Sequence, residues 1–268
     1  MKKCATIIFY SALFLLFSCA DKKRENSVLQ PIVEEAAICD TIKIHENYTF
    51  AYDTGKAPEL TIDIELPSFN LASKSATAKL DSALAWSIFF EGTTLCGACN
   101  NFIAAQKEYF NELRDEFHNL NDGELPPGMM HNYVSIKATT LSGYKDYISY
   151  ITTREEYYGG AHPSTVHTIL CFNPTTGSEI ALKDIFKEGY EENLIIMLIA
   201  KLMQDIGVST IDELCDCGYY LADMFISQNF ILEKDSIIFL YNRYEIAPYA
   251  LGDIKISLDY NTLKEIMK

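Results

Sequence analysis

The sequence predicts an α+β fold in which antiparallel sheets carry packed helices, organised as two sheet-and-helix subdomains. Three observations lead there. Runs of apolar–polar alternation come early, two stretches at helical spacing interrupt them, and a second strand-rich half follows without regular strand–helix alternation. The composition is globular: 268 residues, 49% hydrophobic and 22% charged, with 17 Tyr and 15 Phe to pack or display. A chain of this length buries a sizeable core without help from a metal or a disulfide.

The chain begins with the basic Met1-Lys2-Lys3, followed by an uncharged, mostly apolar run from Cys4 to Ser18. At 15 residues the run falls short of the ~20 that span a bilayer and suits the core of a signal peptide. It ends in Leu16-Phe17-Ser18-Cys19, which resembles a bacterial lipobox. Residues 1–18 are therefore expected to be a lipoprotein signal peptide, and Cys19 the residue that carries lipid. Residues 19–38 form a tether, polar at first, that lets the domain stand off the membrane held by the acyl chains. Loss of Lys2 and Lys3 with the signal leaves 20 basic against 37 acidic side chains, a charge of -17. Such acidity excludes a nucleic-acid binder, because a phosphate backbone demands a basic face. The expected location is the cell envelope, lipid-anchored at the outer membrane. The tether Cys19-Ala20-Asp21-Lys22-Lys23 is not strongly acidic, which favours the periplasmic face over surface display.

Residues 39–154 read as an N-terminal α+β domain. Ile42, Ile44, Tyr48, Phe50 and Tyr52 share one parity, as do Leu60, Ile62, Ile64 and Leu66, so each set faces one side of a strand. The turn residues 53–58 between them predict a hairpin. Ala76, Leu80, Leu84 and Ile88 recur every four residues, and Phe102, Ala105, Tyr109, Leu113, Phe117 and Leu120 form a longer helical stripe beyond a break at 91–94. Residues 122–128 stop that helix. Strands over 130–141 and 145–153 then flank Ser142-Gly143 as a second hairpin.

Residues 155–268 read as a C-terminal α+β domain. A strand over Thr165–Phe172 meets the turn Asn173-Pro174-Thr175-Thr176-Gly177, and Glu179–Leu182 returns as a strand. Glu191–Asp205 is a helix whose first-turn acids suit its dipole. Ser209 with Asp212 and Glu213 looks like a short capped helix. Phe230–Glu233 and Ser236–Tyr241 form a hairpin, Asp253–Leu258 a closing strand, and Asn261–Met267 a terminal helix.

Four separated motifs stand out: Tyr157-Tyr158-Gly159-Gly160-Ala161-His162-Pro163; Phe172-Asn173 with Thr176-Gly177; Leu182-Lys183-Asp184-Ile185-Phe186; and Tyr244-Glu245-Ile246-Ala247-Pro248-Tyr249-Ala250-Leu251-Gly252. In order and spacing, residues 155–262 resemble the family called domain of unknown function 3298, and residues 40–150 look like its usual partner, domain of unknown function 4163. The resemblance implies an envelope module that binds protein or glycan. Its relatives occur in the extracytoplasmic part of lysozyme-sensing anti-sigma factors and beside the catalytic domain of a peptidoglycan deacetylase.

Gly159-Gly160 supplies positive φ and Pro163 pushes His162 toward an extended conformation, a geometry that presents the imidazole at a site. Tyr158, Tyr244, Glu245 and Tyr249 complete the candidate binding set, since tyrosines stack on sugar faces or anchor protein partners. The competing reading makes the 244–249 loop a plug that closes the sheet end. His162 with Glu245 or Asp184 is the candidate acid/base pair of an envelope hydrolase, the alternative function; Asp184 also suits a helix start.

Cys96-Gly97-Ala98-Cys99 and Cys215-Asp216-Cys217 are two close cysteine pairs, open to structural disulfides or inert thiols, redox chemistry, or zinc. No P-loop, serine elbow, histidine zinc motif or calcium loop occurs, so no metal or other cofactor is expected and catalysis is disfavoured. The leading expectation is a non-catalytic module for a peptidoglycan-like glycan or a lysozyme-like protein, with a purely structural envelope role as a third option.

Overall fold

A computed structural model describes residues 38–49, 58–120, 128, 130–221 and 224–268. The expected signal peptide, the lipidation site Cys19 and most of the tether lie outside the described residues. Among the described residues eight strands form a five-stranded sheet, ordered β1-β2-β3-β4-β5, and a three-stranded sheet, ordered β6-β7-β8. The fold is α+β.

β1 (Ile38–Thr49) and β2 (Glu59–Phe69) pair antiparallel, with Ile44 opposite Ile64 and Lys43 opposite Glu65. Their shared parity sends Leu60, Ile62, Ile64 and Leu66 to one face, where all four are buried. That face is covered by α1 (Lys74–Phe89) and α2 (Leu95–Leu120), through Leu80, Leu84, Ile88, Phe102 and Phe110. Ser73 caps α1 by accepting from the Ala76 N–H (3.1 Å). The helix pair carries the chain back along the sheet, so β3 (His131–Ser142) joins β2 in parallel. This is the one departure from the expected antiparallel pattern, and it follows from geometry: a parallel return needs a crossover of a dozen or more residues.

β4 (Ile148–Tyr157) and β5 (Ser164–Phe172) complete the sheet by antiparallel pairing, so one sheet runs through residues 154 and 155. β5 would present an open edge, but two asparagines occupy much of it. Asn242 accepts from the His167 N–H (2.7 Å), Asn229 accepts from the Ile169 N–H (3.0 Å), and both donate to the His167 carbonyl (3.1 and 3.2 Å). Side-chain amides thus stand in for a neighbouring strand.

The second layer holds β6 (Phe230–Leu232), β7 (Ser236–Tyr241) and β8 (Ile254–Asp259) with α3 (Leu182–Ile185), α4 (Glu191–Ile206), α5 (Ile211–Asp216) and α6 (Tyr260–Leu263). Its core includes Ile169 and Cys171 and packs on Leu141 and Ile151, so it covers one end of the sheet face opposite α1 and α2. Close approach fixes the join. A Cβ on Gly143 would lie 1.8 Å from the Leu232 carbonyl oxygen, and one on Gly177 (φ +66) would lie 2.1 Å from that of Ala76.

Three local expectations are corrected. Glu179–Leu182 forms a single bridge, Phe172 to Glu179, before the chain turns into α3. The cap of α5 is Thr210, whose hydroxyl accepts from the Glu213 N–H (3.2 Å); Ser209 contributes only its own N–H to Glu213 (2.7 Å). The terminal helix spans Tyr260–Leu263, after which the chain pairs Met267 with Phe186. Among the described residues no helix is long and apolar enough to cross a membrane.

Candidate functional site

The site forms where the open part of the five-stranded sheet meets the loop between β7 and β8. That loop is built as a turn: Glu245 donates its N–H to the Asn242 carbonyl (3.1 Å), and its carboxylate accepts from the Asn242 N–H (2.7 Å). Ile246 and Ala247 are buried and plug the sheet end. Tyr244 and Tyr249 point outward from the same loop. Tyr244 is 61% exposed and has φ 72°, a left-handed conformation that a bulky side chain adopts only when its surroundings impose it.

His162 comes from the β4–β5 loop, where Gly159 and Gly160 take φ of 94° and 105°. Its Nδ1 contacts the Pro163 carbonyl (3.0 Å), and its ring stacks on Tyr249 with centroids 4.1 Å apart and planes 20° apart. Tyr244 lies 5.6 Å from the Tyr249 ring. Arg243 places its guanidinium 4.9 Å from that ring's centroid and donates from Nη1 to the Tyr249 hydroxyl (3.3 Å) and Thr165 Oγ1 (3.4 Å). Asp253, at the start of β8, stands 3.7 Å from Arg243 Nε and 3.2 Å from His167 Nε2, and the other His167 nitrogen meets Thr153 Oγ1 at 3.0 Å. His167 and Asp253 thereby tie the first sheet to the second, and Arg243 links Asp253 to the aromatic stack.

The structure brings His162, Tyr244 and Tyr249 together and separates the rest of the expected set. Glu245 spends its carboxylate on its own turn. Asp184 accepts from the Ala181 N–H (2.9 Å) and so caps α3. Neither is hydrogen-bonded to His162. Tyr158 faces the opposite side of the sheet: its hydroxyl donates to Gln106 and its ring meets Tyr109 of α2 edge-on at 5.3 Å. Burial there raises the Tyr158 pKa above its ordinary value. The sequence reading missed Arg243, His167 and Asp253, which lie far apart along the chain. It also missed Tyr133, which stacks with Tyr157 (6.1 Å, 28°) on the open face and donates to Glu155 (2.5 Å). That hydrogen bond to a carboxylate is the first cause that pushes the Tyr133 phenol up to about 12.

The cysteine pairs do not meet. Cys96 is exposed and Cys99 buried in the first turn of α2, while Cys215 and Cys217 are exposed at α5, and all four are free. Burial pushes the Cys99 thiol up to about 12. Among the described residues no three His, Cys, Asp or Glu side chains gather as a metal site.

A two-sheet α+β body with an aromatic, arginine-bearing surface cluster at the join is the class of protein that these features define. Residues 183–261 match the family described as protein of unknown function, DUF3298, so the C-terminal part of the chain carries that domain. The match begins beyond the Tyr157–Pro163 motif. A DUF3298 protein from Bacteroides fragilis superposes with a TM-score of 0.73 at 28% identity, covering 87% of this chain and 94% of that one. Another, from Pseudomonas aeruginosa, shares the fold with a TM-score of 0.57 at 15% identity, over 85% of this chain and 94% of that one. The peptidoglycan-N-acetylmuramic acid deacetylase PdaC of Bacillus subtilis is 25% identical over 126 residues, 46% of this chain but only 27% of the length of that enzyme.

Proposed function

We propose that this protein is a cell-envelope lipoprotein whose folded body binds a glycan and performs no covalent chemistry. The observation that carries the reading is the stack of the exposed His162 on the half-buried Tyr249 with Arg243 held against it, at the edge of an open polar sheet face. A flat ring beside fixed hydrogen-bond donors suits a sugar, which offers an apolar face and a rim of hydroxyls. The carboxylates that a hydrolase would need, Glu245 and Asp184, are each engaged with backbone N–H groups of their own segments. The likeness to part of a peptidoglycan-acting enzyme supports the choice of glycan, and the lipobox at Leu16–Cys19 supports the envelope location.

Co-sedimentation of the purified chain with insoluble peptidoglycan tests the reading. Wild type is expected in the pellet. Tyr249→Ala should lose tenfold or more in affinity, about 1.4 kcal/mol or above, and His162→Ala somewhat less. Equal retention of all three proteins overturns the assignment of this face. Capture of lysozyme without any glycan binding would replace the glycan by a protein ligand. Metabolic labelling with palmitate, lost in Cys19→Ser, checks the anchor.

A further inference from the structure

We infer that the binding site does not end at the aromatic stack but continues as a track across the open face of the five-stranded sheet, long enough for about four sugar residues. The inference rests on the glycan reading above and gives it an extent.

Strand register sets the track. One row of side chains runs through Lys43, Glu65, Lys137, Thr153 and His167, each directly opposite the next on strands β1 to β5. A parallel row runs from His45 on β1 to Thr165 on β5 by the same pairings. Every member of both rows is polar and none is buried, whereas the other face of these strands is packed under α1 and α2. Both rows end at the stack, His167 on Asp253 and Thr165 on Arg243. At the far end lies an open hollow of about 260 Å³ whose lining includes Lys43, His45, Asp63 and Lys137.

Charge decides the occupant. Most of the charged groups of the track already have partners within the protein: Lys43 pairs with Glu65 (3.0 Å), Asp63 meets the His45 ring (2.6 Å), and Arg243 stands by Asp253. A polyanion would have to compete with those carboxylates, and a polycation with the lysines and Arg243. A neutral polyhydroxylated chain needs neither, and it finds donors and acceptors at each strand crossing. Adjacent strands lie about 4.8 Å apart, so four intervals span roughly 19 Å, close to four rings of a β-1,4-linked chain at about 5 Å each.

Calorimetric titration of the full chain with N-acetylglucosamine oligomers of two to six residues tests the extent. Affinity is expected to rise about tenfold or more from the dimer to the tetramer and to level off beyond it. Ser135→Trp, which puts an indole in the middle of the track, should remove that gain and leave dimer affinity unchanged. The pair Lys43→Ala and Lys137→Ala, on exposed side chains, should reduce the gain without touching the fold. A wild-type tetramer that binds no better than the dimer overturns the track and leaves the stack as a short site. If neither the oligomers nor insoluble peptidoglycan bind, the glycan reading itself falls and the track with it; peptidoglycan binding without any oligomer binding overturns the track alone.

Discussion

β7 and β3 are both β-strands, yet they serve opposite ends. All six residues of β7 are buried, because the three-stranded sheet lies between α4 and the end of the larger sheet. In β3, Asn132, Val134, Ile136, Ala138 and Thr140 are buried, while Tyr133, Ser135, Lys137 and Thr139 are not. A strand covered on both sides can only hold the fold together. A strand covered on one side presents every second residue, and the proposed site and track use those positions. The second layer contributes to the site only from its rim, through Arg243, Tyr244, Tyr249 and Asp253.

The join between the layers is the most sensitive place to break this arrangement. Gly143→Ala puts a methyl group into the Leu232 carbonyl, so the two backbones must move apart. A loss of more than about 3 kcal/mol is expected, measured as a large fall in the urea midpoint. Gly177→Ala adds backbone strain at φ +66 to a similar collision and belongs in the same class. Next comes the direct contrast between layers. Phe239→Ala, at 0% exposure, should cost about 3–5 kcal/mol, whereas Lys137→Ala on the open face should stay within about 0.5 kcal/mol.

Alkaline titration reaches both layers at once. The phenols of Tyr241, chiefly through burial, and Tyr133, chiefly through its hydrogen bond to Glu155, are both pushed up to about 12 from an ordinary 10. Above pH 10 the unfolded chain releases these protons while the folded one keeps them, so the unfolded state gains. Stability should hold below pH 10 and fall as pH rises toward 12. Urea midpoints across that range check the sign, and Tyr133→Phe should remove only the open-face share of the slope. A small effect of opposite sign is expected at Tyr244. Replacement by Gly relieves its left-handed backbone and should raise stability by up to ~1 kcal/mol. If Tyr244 touches ligand, binding weakens while stability improves, and the two readouts move in opposite directions.

Much of the fold is legible in the chain, and the reasons are local. Leu60, Ile62, Ile64 and Leu66 alternate because one face of β2 is buried, and Leu80, Leu84 and Ile88 recur because one stripe of α1 is. Parity also carries information about the site. Tyr157 and Tyr158 are adjacent, so they must face opposite sides of β4; Tyr157 stacks with Tyr133 and Tyr158 meets α2. The cap of α5 was misplaced by one residue because Ser209 and Thr210 carry the same chemistry, and only backbone geometry separates them. The second strand expected at Glu179–Leu182 failed for a tertiary reason: after one bridge, Leu182 and Ile185 find burial as a helical turn against the second core.

By itself, then, the sequence determined the α+β class, most of the elements, and the two loops that bear His162, Tyr244 and Tyr249. Periodicity and turn chemistry act over a few residues and are written in them. Tertiary structure decided the parallel return of β3, the use of Asn229 and Asn242 as an edge for β5, and the meeting of Thr153, His167, Arg243 and Asp253. Those groups lie up to about a hundred residues apart, and no local pattern marks them. It also decided which sheet face stays open, because that depends on where the second layer comes to rest, held by the close approach of Gly143 to Leu232.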